Sequence, residues 1–383
     1  MNRKNRIKII LFFTYGVSLK QWANAGLLER EVLLYKRLNK KGVRVTFVTY
    51  GDSTDYHYCE MLDDIHVVPF YAITKRPHLR IIKLFHSLVL PFILRKEIKQ
   101  ADILKTNQMW GCWVAVISKF AFNKILIIRS GYEMYRNCLR SNGPILRKTL
   151  FWLVSWLAYR FGDKIIITSN EDKQFISKSF FVSSTKINVL INYVDTAMFK
   201  RTSCKKHKNR LLFIGRLSKQ KNIYNLLDAI MRTGYELDIV GDGEQKRALE
   251  YYIRKYNIKA NFLGRYPNDR IPNIINRYPV FILPSHYENN PKALLEAMAC
   301  ESAVIGSNIT GIKEVIKHNE GGMICETDSD SIKLAINKLM NDEDLQSRLG
   351  KNARCFVVDN CSLELIVNDE YRLYKQMLHN ASR

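Results

Sequence analysis

Two glutamates spaced eight residues apart carry the strongest chemical signal in this sequence. Glu288 and Glu296 lie within residues 284–296, which read PSHYENNPKALLE. An apolar strand pattern at residues 280–283 precedes the first glutamate, and a helix pattern contains the second. In open α/β folds, the loops at the carboxyl ends of parallel strands bind ligands. We therefore expect both carboxylates to lie beside a ligand site.

The surroundings of Glu296 sharpen this expectation. Its neighbours in the helix pattern are all apolar: Leu294, Leu295, Ala297 and Met298. A buried carboxylate requires a partner because burying an unpaired charge is costly, and sugar hydroxyls would be suitable partners. The alternative is a solvated glutamate on a helix face, which is the more common situation for a single glutamate. Pro291 predicts the start of the helix, since proline is favoured at the first helical position.

A basic loop precedes this segment in the sequence. Residues 212–222 read LFIGRLSKQKN, in which a strand pattern ends at Gly215 and the following loop carries Arg216 and Lys221. Amides at the start of a helix together with two cations would suit a diphosphate. An ordinary basic surface loop explains this motif equally well when it is taken alone. The phosphate-binding pattern G-x-x-x-x-G-K-[ST] does not occur.

Glycines follow two other strand patterns. Residues 239–243 read IVGDG, and residues 15–18 read YGVS after the first strand pattern. Glycine lets a backbone turn sharply or approach a ligand closely, so the amide of Gly16 is a candidate phosphate contact. Each motif is weak evidence alone, because most such glycines only form turns.

Short β-branched runs alternate with longer helix patterns through most of the chain. Such alternation predicts parallel sheets covered by helices on both faces. The strand patterns form two series, at 7–13, 43–49, 65–70, 102–106, 125–129, 164–168 and 187–191, and at 211–214, 236–240, 260–263, 280–283, 303–306 and 322–325. We predict two doubly wound, Rossmann-like α/β domains, residues 1–195 and 196–362. A C-terminal helix within residues 363–383 is expected to pack back toward the first domain.

The chain is strongly basic, with a formal net charge of +24 over 383 residues. Residues 1–195 hold 31 Lys and Arg against 14 Asp and Glu, and the remaining residues hold 29 against 22. A one-sided positive field indicates an anionic partner, such as nucleic acid, acidic lipid or a phosphorylated substrate. A general lysine bias of the organism would explain part of the excess but not its asymmetry.

Two segments of the basic half, residues 79–99 and 145–161, are unusually apolar between basic and aromatic edges. This composition is typical of a helix lying on an anionic membrane surface, and equally of a helix that covers a sheet. Neither segment reaches the ~20 apolar residues of a spanning helix, and the apolar run at residues 7–13 lacks a signal-peptide cleavage pattern. The eight scattered cysteines show no metal-ligand spacing, so we expect reduced thiols in the cytoplasm and no metal site.

Taken together, the motifs resemble one family. Their order is a glycine loop after the first strand, then IGRLSKQKN, VGDG, FLGR and PSHYENNPKALLEAMA. This order is similar to that of the glycosyl transferases group 1 family (family 4). Its members are retaining glycosyltransferases of the GT-B fold, in which two Rossmann-like domains face each other across a cleft. The resemblance is dense over residues 210–322 and looser over the first half, and the two glutamates with LLEAMA are its most specific element.

The resemblance implies a role for each motif. Glu288 would face the donor sugar near the reacting carbon, and Glu296 would bind the ribose hydroxyls of a nucleotide sugar. Arg216 and Lys221 would neutralise the donor diphosphate, and with Glu288 they form the predicted catalytic group. The other implied donor-binding residues are Gly16, Gly215, Gly264, Arg265, Asn289, Asn290, Lys292 and Leu295. No Asp-x-Asp metal motif occurs, so we expect side-chain cations in place of a metal, and no cofactor.

The sequence departs from the family pattern at two places. The usual Glu-Gly-Phe is ENN at residues 288–290, which leaves the donor sugar open. Residues 128–133, IRSGYE, occupy the place where many members have a histidine at the end of a strand. Arg129, Tyr132 and Glu133 are therefore candidates for acceptor-side contacts. The alternative is an ion pair between Arg129 and Glu133 with a purely structural role.

We therefore expect a cytoplasmic glycosyltransferase, peripheral on the inner face of the plasma membrane. It would transfer a sugar with retention from a nucleotide sugar to a lipid-linked, oligosaccharide or polysaccharide acceptor. The expected setting is the biosynthesis of bacterial capsule, O-antigen or lipopolysaccharide. A GT-B-fold sugar-nucleotide epimerase is the alternative enzyme, which the basic loop and the glutamate pair fit poorly. A basic nucleic-acid-binding protein is the non-enzymatic alternative, although no recognised nucleic-acid module occurs in the sequence.

Overall fold

Two parallel sheets organise the chain. The computed structural model describes residues 6–381, and these divide into two compact units. The first unit runs to Leu190 and resumes from Val367, and the second is Ile191–Ile366. Each unit is built on parallel strands with helices between them, as the alternating sequence pattern predicts.

Seven strands form the sheet of the first unit within the described residues. They are β1 (Ile7–Phe12), β2 (Val43–Thr49), β3 (His66–Pro69), β4 (Ile103–Thr106), β5 (Ile125–Ser130), β6 (Lys164–Ile167) and β7 (Ile187–Val189), in the order β3-β2-β1-β4-β5-β6-β7. The helices are α1 (Leu19–Asn24), α2 (Leu28–Lys40), α3 (Phe70–Ile73), α4 (Arg80–Ile93), α5 (Arg95–Gln100), α6 (Cys112–Phe122), α7 (Met134–Arg140), α8 (Ile145–Phe161) and α9 (Asn170–Phe180). Alternate residues of the central strands, such as Ile10, Leu104 and Ile128, are buried in one apolar core.

The second unit has six parallel strands, again counted within residues 6–381. They are β8 (Arg210–Ile214), β9 (Glu236–Val240), β10 (Ala260–Gly264), β11 (Val280–Leu283), β12 (Ala303–Ser307) and β13 (Met323–Cys325), in the order β10-β9-β8-β11-β12-β13. The helices are α10 (Ile223–Met231), α11 (Lys246–Lys255), α12 (Ile271–Ile275), α13 (Lys292–Ala299), α14 (Thr310–Lys313), α15 (Ser329–Met340) and α16 (Glu343–Cys361), followed by α17 (Leu363–Ala381). The strands read as continuous apolar runs because helices bury both faces of a parallel sheet.

Each sheet has a point at which the order of strands reverses. In the first unit β1 lies between β2 and β4, and in the second unit β8 lies between β9 and β11. Ligands of open α/β sheets bind outside the carboxyl ends of the strands at such a point. The Gly16 loop follows β1, the Gly215 loop follows β8, and residues 284–291 follow β11. The topology therefore brings these predicted motifs to the positions where each unit is suited to bind a ligand.

The boundary between the units differs slightly from the predicted domain boundary. Residues 191–195 belong to the second unit because Val194 pairs with the segment between α16 and α17. Its amide donates to the carbonyl of Cys361 at 2.8 Å, and its carbonyl accepts from the amide of Leu363 at 2.9 Å. Helix α17 starts in the second unit and belongs to the first unit from Val367.

Two predicted helix starts are wrong for local reasons. The sequence pattern at residues 25–40 predicts one helix from Ala25, but α2 begins only at Leu28, because Gly26 adopts a positive φ of 66° between α1 and α2. Pro291 is not the first helical residue of α13. It precedes the helix in an extended conformation, with φ −77° and ψ 109°, and α13 begins at Lys292.

Candidate active site

The carboxylate of Glu288 is buried and held by three side chains. Ser285 Oγ donates to its Oε1 at 2.7 Å, and the ammonium of Lys221 forms an ion pair with the same oxygen. Gln220 Nε2 lies 3.5 Å from the other oxygen and donates to the carbonyl of Tyr287 at 2.8 Å. A buried carboxylate needs such partners. The pair therefore joins the loop after β8 to the loop after β11.

Backbone contacts fix these two loops. The amide of His286 donates to the carbonyl of Gln220 at 2.8 Å. Asn222 Nδ2 donates to the carbonyls of Pro284 at 3.0 Å and Thr327 at 2.7 Å. Asn222 adopts a left-handed φ of 55° just before α10, a conformation that asparagine tolerates better than most residues. The lysine that precedes it is thus presented from a fixed backbone.

The glycine motifs of the second unit form one continuous backbone surface. The amide of Gly215 donates to the carbonyl of Val240 at 3.0 Å, and the amide of Gly241 donates to that of Gly264 at 2.8 Å. Gly241 has a φ of 141°, and an added Cβ would overlap the carbonyl oxygen of Gly215. Arg216 is exposed at the edge of this surface. The basic loop, the IVGDG motif and the end of β10 therefore meet, as the predicted donor site requires.

Glu296 lies on α13, the helix that follows the loop of Glu288. Its side chain is 6% exposed, and its neighbours Leu295 and Ala297 are fully buried. The helix starts next to Asn290, whose Oδ1 accepts from the amide of Asn192 at 3.0 Å and whose carbonyl accepts from Asn192 Nδ2 at 2.8 Å. Asn290 therefore anchors the loop through its own contacts, in addition to its predicted role toward a sugar.

The remaining donor-side candidates are more exposed. Lys292 Nζ lies 5.6 Å from the centre of the Tyr193 ring, at a distance typical of a cation–π contact. Arg265 is exposed, and its Nε lies 3.5 Å from a carboxylate oxygen of Asp242. Asn289 is half-buried between Glu288 and Asn290. These side chains share the carboxyl edge of the second sheet with Lys221.

Sequence reasoning missed some residues that build this site. Gly311, in α14, packs against the loop so closely that an added Cβ would overlap the carbonyl oxygens of Glu288 and Asn289. Ser285 and Gln220 stand inside recognised motifs but carried no predicted role. The sequence signal for Gly311 was only that a glycine occurs shortly after β12. Glycines at such places are equally common in ordinary turns.

The loop of Gly16 in the first unit is organised by a buried aspartate that sequence reasoning also missed. Asp55 accepts from the amides of Leu19 and Lys20, both at 3.1 Å, and from Thr49 Oγ1 at 2.6 Å. The first amides of α1 are therefore bonded to a carboxylate of the chain itself. Gly16 lies just before them, exposed and with a φ of 81°.

The structure corrects the proposed ion pair between Arg129 and Glu133. Glu133 is buried beneath α8, where its Oε1 accepts from Ser155 Oγ at 2.7 Å and its Oε2 from the amide of Arg136 at 2.5 Å. Burial raises the pKa of Glu133, and the hydrogen bond from Ser155 opposes the rise. Glu133 thus caps α7 and anchors α8. Tyr132, which precedes it, is half-exposed at the carboxyl end of β5.

Arg129 belongs to a different cluster. Its charge lowers the pKa of both Lys105 and Glu370, two residues buried on the opposite face of the first sheet from the Glu133 cluster. Arg129 lies within β5, whereas Glu133 follows the strand as the N-cap of α7, so the two side chains are directed by different elements. Arg129 and Glu133 therefore belong to separate networks. Their closeness in the sequence did not show that their side chains would lie apart.

Within residues 6–381, no three His, Cys, Asp or Glu side chains are grouped so as to hold a metal ion. All eight cysteines are free thiols. Burial raises the pKa of Cys300 and Cys361 to about 12, so both stay protonated and unreactive near neutral pH.

Comparison with protein families agrees with this geometry. The model of the glycosyl transferases group 1 family matches residues 194–356, and the Glycosyltransferase Family 4 model matches residues 32–198. The two matches together run through both units. They cover the loops with Arg216 and Lys221 and the segment with Glu288 and Glu296.

Similar proteins include characterised bacterial glycosyltransferases. An undecaprenol-PP-linked-glycan alpha-1,4-N-acetyl-D-galactosaminyltransferase of Campylobacter jejuni is 29% identical over 281 residues, or 69% of this chain and 72% of that protein. The UDP-Gal:alpha-D-GlcNAc-diphosphoundecaprenol alpha-1,3-galactosyltransferase of Escherichia coli is 28% identical over 350 residues, or 86% of this chain and 88% of that protein.

Solved structures share the fold at lower identity. Sucrose-phosphate synthase from Thermosynechococcus elongatus matches with a TM-score of 0.78 at 18% identity, over 98% of this chain and 100% of that chain. Anabaena HepE in complex with UDP matches with a TM-score of 0.77 at 18% identity, over 97% of this chain and 100% of that chain. The chain therefore belongs to the glycosyl transferases group 1 family and is a glycosyltransferase of the GT-B fold.

Proposed function

We propose that this glycosyltransferase moves a sugar from a nucleotide sugar to a lipid-linked or polysaccharide acceptor, with retention of anomeric configuration. The setting we propose is the biosynthesis of bacterial capsule, O-antigen or lipopolysaccharide at the inner face of the plasma membrane. The observation that carries the proposal is the ion pair between Lys221 and Glu288, held beside the Gly215 backbone at the carboxyl edge of the second sheet.

The donor half of the proposal follows from the chemistry of this edge. A nucleotide sugar presents a ribose, a diphosphate and a sugar, and the edge offers a group suited to each. Glu296 would accept hydrogen bonds from the ribose hydroxyls, as charged acceptors do strongly. Arg216 and Lys221 would neutralise the diphosphate, and Glu288 would face the sugar. HepE structures are known in complex with UDP and with UDP-glucose, which supports a uridine nucleotide as the first donor class to test.

Catalysis in this arrangement is mainly the management of charge. When the bond between the anomeric carbon and the diphosphate breaks, negative charge grows on the leaving phosphate. Cations fixed in advance stabilise that charge without reorganising during the reaction. Lys221 is fixed by Glu288 and by the backbone contacts of Asn222. Side-chain cations would thus do the work of a metal ion, and we propose that no metal is needed.

The acceptor half of the proposal rests on the relatives and on the surface of the first unit. The names of the C. jejuni and E. coli relatives both include an undecaprenol-linked acceptor. None of the helices within residues 6–381 has the length and apolar character that crossing a bilayer demands. We propose that a lipid-linked acceptor is bound at the membrane surface.

The two apolar segments of the basic half form helices with a large exposed face. Both α4 and α8 pack against α6, so the expectation of covering helices holds for one face of each. The other faces leave large apolar side chains in solvent: Leu79, Ile81, Ile82, Phe85, Phe92, Ile93, Ile145, Leu146, Leu150, Leu153 and Trp156. Exposed apolar patches of this kind mark interaction surfaces. The basic side chains beside them, Lys83, Arg95, Lys96, Arg147 and Lys148, would favour an anionic bilayer.

The transfer reaction itself is the first test. The protein should move label from one of a panel of radiolabelled nucleotide sugars into the lipid fraction of a bacterial membrane extract. Isomerised nucleotide sugar without transfer would instead identify an epimerase. Inertness toward every donor, with binding to nucleic acid, would support the non-enzymatic alternative and remove the proposal.

Glu296→Gln should weaken binding of the donor nucleotide. Loss of a charge-assisted hydrogen bond costs about 1.5–3 kcal/mol, and the isosteric amide keeps the packing of α13. Isothermal titration calorimetry with the free nucleotide measures the change. The matched control is Glu250→Gln, on the exposed face of α11, which should bind like the wild type. Equal affinity in both folded variants would remove the ribose assignment.

Arg216→Ala and Lys221→Ala should lower kcat more than they weaken donor binding, because the leaving charge is greatest in the transition state. Steady-state kinetics with the active donor separates the two effects. Lys219→Ala is the control, since Lys219 is an exposed lysine of the same loop. A rise in KM with unchanged kcat in the Arg216 and Lys221 variants would contradict their proposed role.

The same assay tests the role of metals. Wild-type activity should persist in excess EDTA, because the proposed neutralising charges are side chains. Loss of activity in EDTA that is restored by Mg²⁺ or Mn²⁺ would show that a metal carries it instead.

The exposed face of α4 should support binding to anionic vesicles. Phe85 and Phe92 are 61% and 59% exposed, and burying a phenylalanine contributes roughly 1.5–3 kcal/mol. The Phe85→Ser, Phe92→Ser double variant should lose at least about tenfold in flotation with anionic liposomes. A matched double variant of the second unit, Leu334→Ser with Tyr251→Ser, removes equally exposed side chains and should float normally.

Salt and lipid charge complete this test. High ionic strength should weaken binding because it screens the basic side chains, and neutral lipid should weaken it for the same reason. Equal recovery of wild-type protein in the unbound fraction under all conditions would show that the basic half does not serve a membrane.

A further inference from the structure

One fully buried lysine lies in the sheet of the first unit. Lys105, in β4, has no exposed surface, and its Nζ lies 2.5 Å from Oε1 of Glu370 in α17. The same Nζ donates to Tyr374 Oη at 3.1 Å, and that hydroxyl donates to Oε2 of Glu370 at 2.9 Å. The Tyr35 ring of α2 lies beneath the ammonium, with its centre 5.2 Å away. A closed polar network therefore joins β4 to a helix near the end of the chain.

The network gathers charges from two neighbouring strands around one carboxylate. Burial lowers the pKa of Lys105 to about 8, and Glu370 opposes that fall. Burial alone would raise the pKa of Glu370, yet Lys105 and Arg129 hold it below its ordinary value. Lys105 and Arg129 come from β4 and β5, which pair directly. Without α17, the buried ammonium of Lys105 would lose the carboxylate of Glu370.

Stability alone is a poor explanation for such a pair. Replacing a buried ion pair with apolar residues of similar volume often leaves stability unchanged or raises it. The charges do, however, distinguish one position of the helix from others. A shift of α17 by one turn, about 5.4 Å, would bring Ile366 or Tyr374 toward Lys105 in place of Glu370. Either shift would leave a buried charge unpaired, which is costly.

The strand residues next to the pair shape the carboxyl edge of the first sheet. Thr106 follows Lys105, and its Oγ1 accepts from the amide of Arg129 at 3.0 Å. The next residue, Asn107, donates its amide to the carbonyl of Phe12 in β1 at 2.8 Å. The ends of β1, β4 and β5 are thus linked immediately beyond Lys105. This is the switch point of the first sheet, where a ligand of this unit is expected.

We propose that Lys105 and Glu370 are a positioning pair for sugar transfer, which fixes the register of α17 and thereby the carboxyl ends of β4 and β5. This inference rests on the proposed function in one respect, namely that the first unit binds the acceptor. The pair touches no substrate itself. It acts through Thr106 and Arg129 on the edge where the acceptor is held.

The test is a double variant, Lys105→Met with Glu370→Leu. We expect a melting temperature equal to or above that of the wild type, unchanged affinity for the donor nucleotide, and kcat/KM for the acceptor reduced at least tenfold. Hydrogen exchange should become faster at residues 106–108 and 129–131. The matched control is Lys246→Met with Glu250→Leu, which removes an exposed pair on α11 at 3.9 Å and should keep full activity.

Glu370→Gln is the second variant, in case the double variant does not fold. It keeps the shape of the side chain and should also reduce kcat/KM for the acceptor without weakening donor binding. Wild-type kcat/KM and wild-type exchange in a folded variant would overturn the inference. Failure of both variants to fold would assign the pair to stability and overturn it as well. If the wild-type protein transfers to no acceptor, the proposed function fails, whereas the exchange measurement still decides whether the pair fixes the two strand ends.

Discussion

The ion pair between Lys221 and Glu288 is the contact on which the arrangement of the second unit depends. A carboxylate this deeply buried is stable only when it is paired, and its partners come from two loops that follow different strands. Pairing them closes the carboxyl edge of the sheet on one side, while the touching glycines close it on the other. The carboxyl edge of the second sheet therefore has a fixed cation and closely packed glycine backbone. A second buried glutamate, Glu296, lies on the following helix.

The first unit uses the same physical constraint for a different purpose. Lys105 and Glu370 form a buried pair far from solvent, and they connect a strand to a helix that begins in the other unit. In the second unit the buried pair lies at the carboxyl edge of the sheet, where we propose that the donor binds. In the first unit the pair lies between β4 and α17, where we propose that it fixes the strand ends. Burial therefore requires each of these charges to have a partner, but the location of each pair decides what it can do.

Local patterns in the sequence were sufficient to predict the elements, but contacts between distant residues were not. Strands such as Val43–Thr49 and Glu236–Val240 have their predicted bounds, because apolar runs between turns encode a buried strand directly. Lys221 and Glu288 were both recognised, yet their pairing across 67 residues was not. The same holds for Lys105 and Glu370, 265 residues apart, neither of which stood out from the many other charged residues.

The alternative of an ion pair between Arg129 and Glu133 fails because Glu133 lies beyond β5, at the N-cap of α7, and spacing alone does not show where a chain leaves a strand. The helices α4 and α8 show a different limit. An apolar segment with basic edges describes both a covering helix and a surface helix, and both helices have one packed face and one exposed apolar face. The exposed fractions of side chains such as Phe85 distinguish these two faces, and the sequence pattern does not contain that information.

The most direct test of the account is the anomeric configuration of the product. The purified protein would be incubated with its active nucleotide sugar and a lipid-linked acceptor, and the new glycosidic linkage would be assigned by NMR spectroscopy. The account predicts a linkage with the same anomeric configuration as the donor sugar. An inverted linkage, or an isomerised donor without any new linkage, would contradict it.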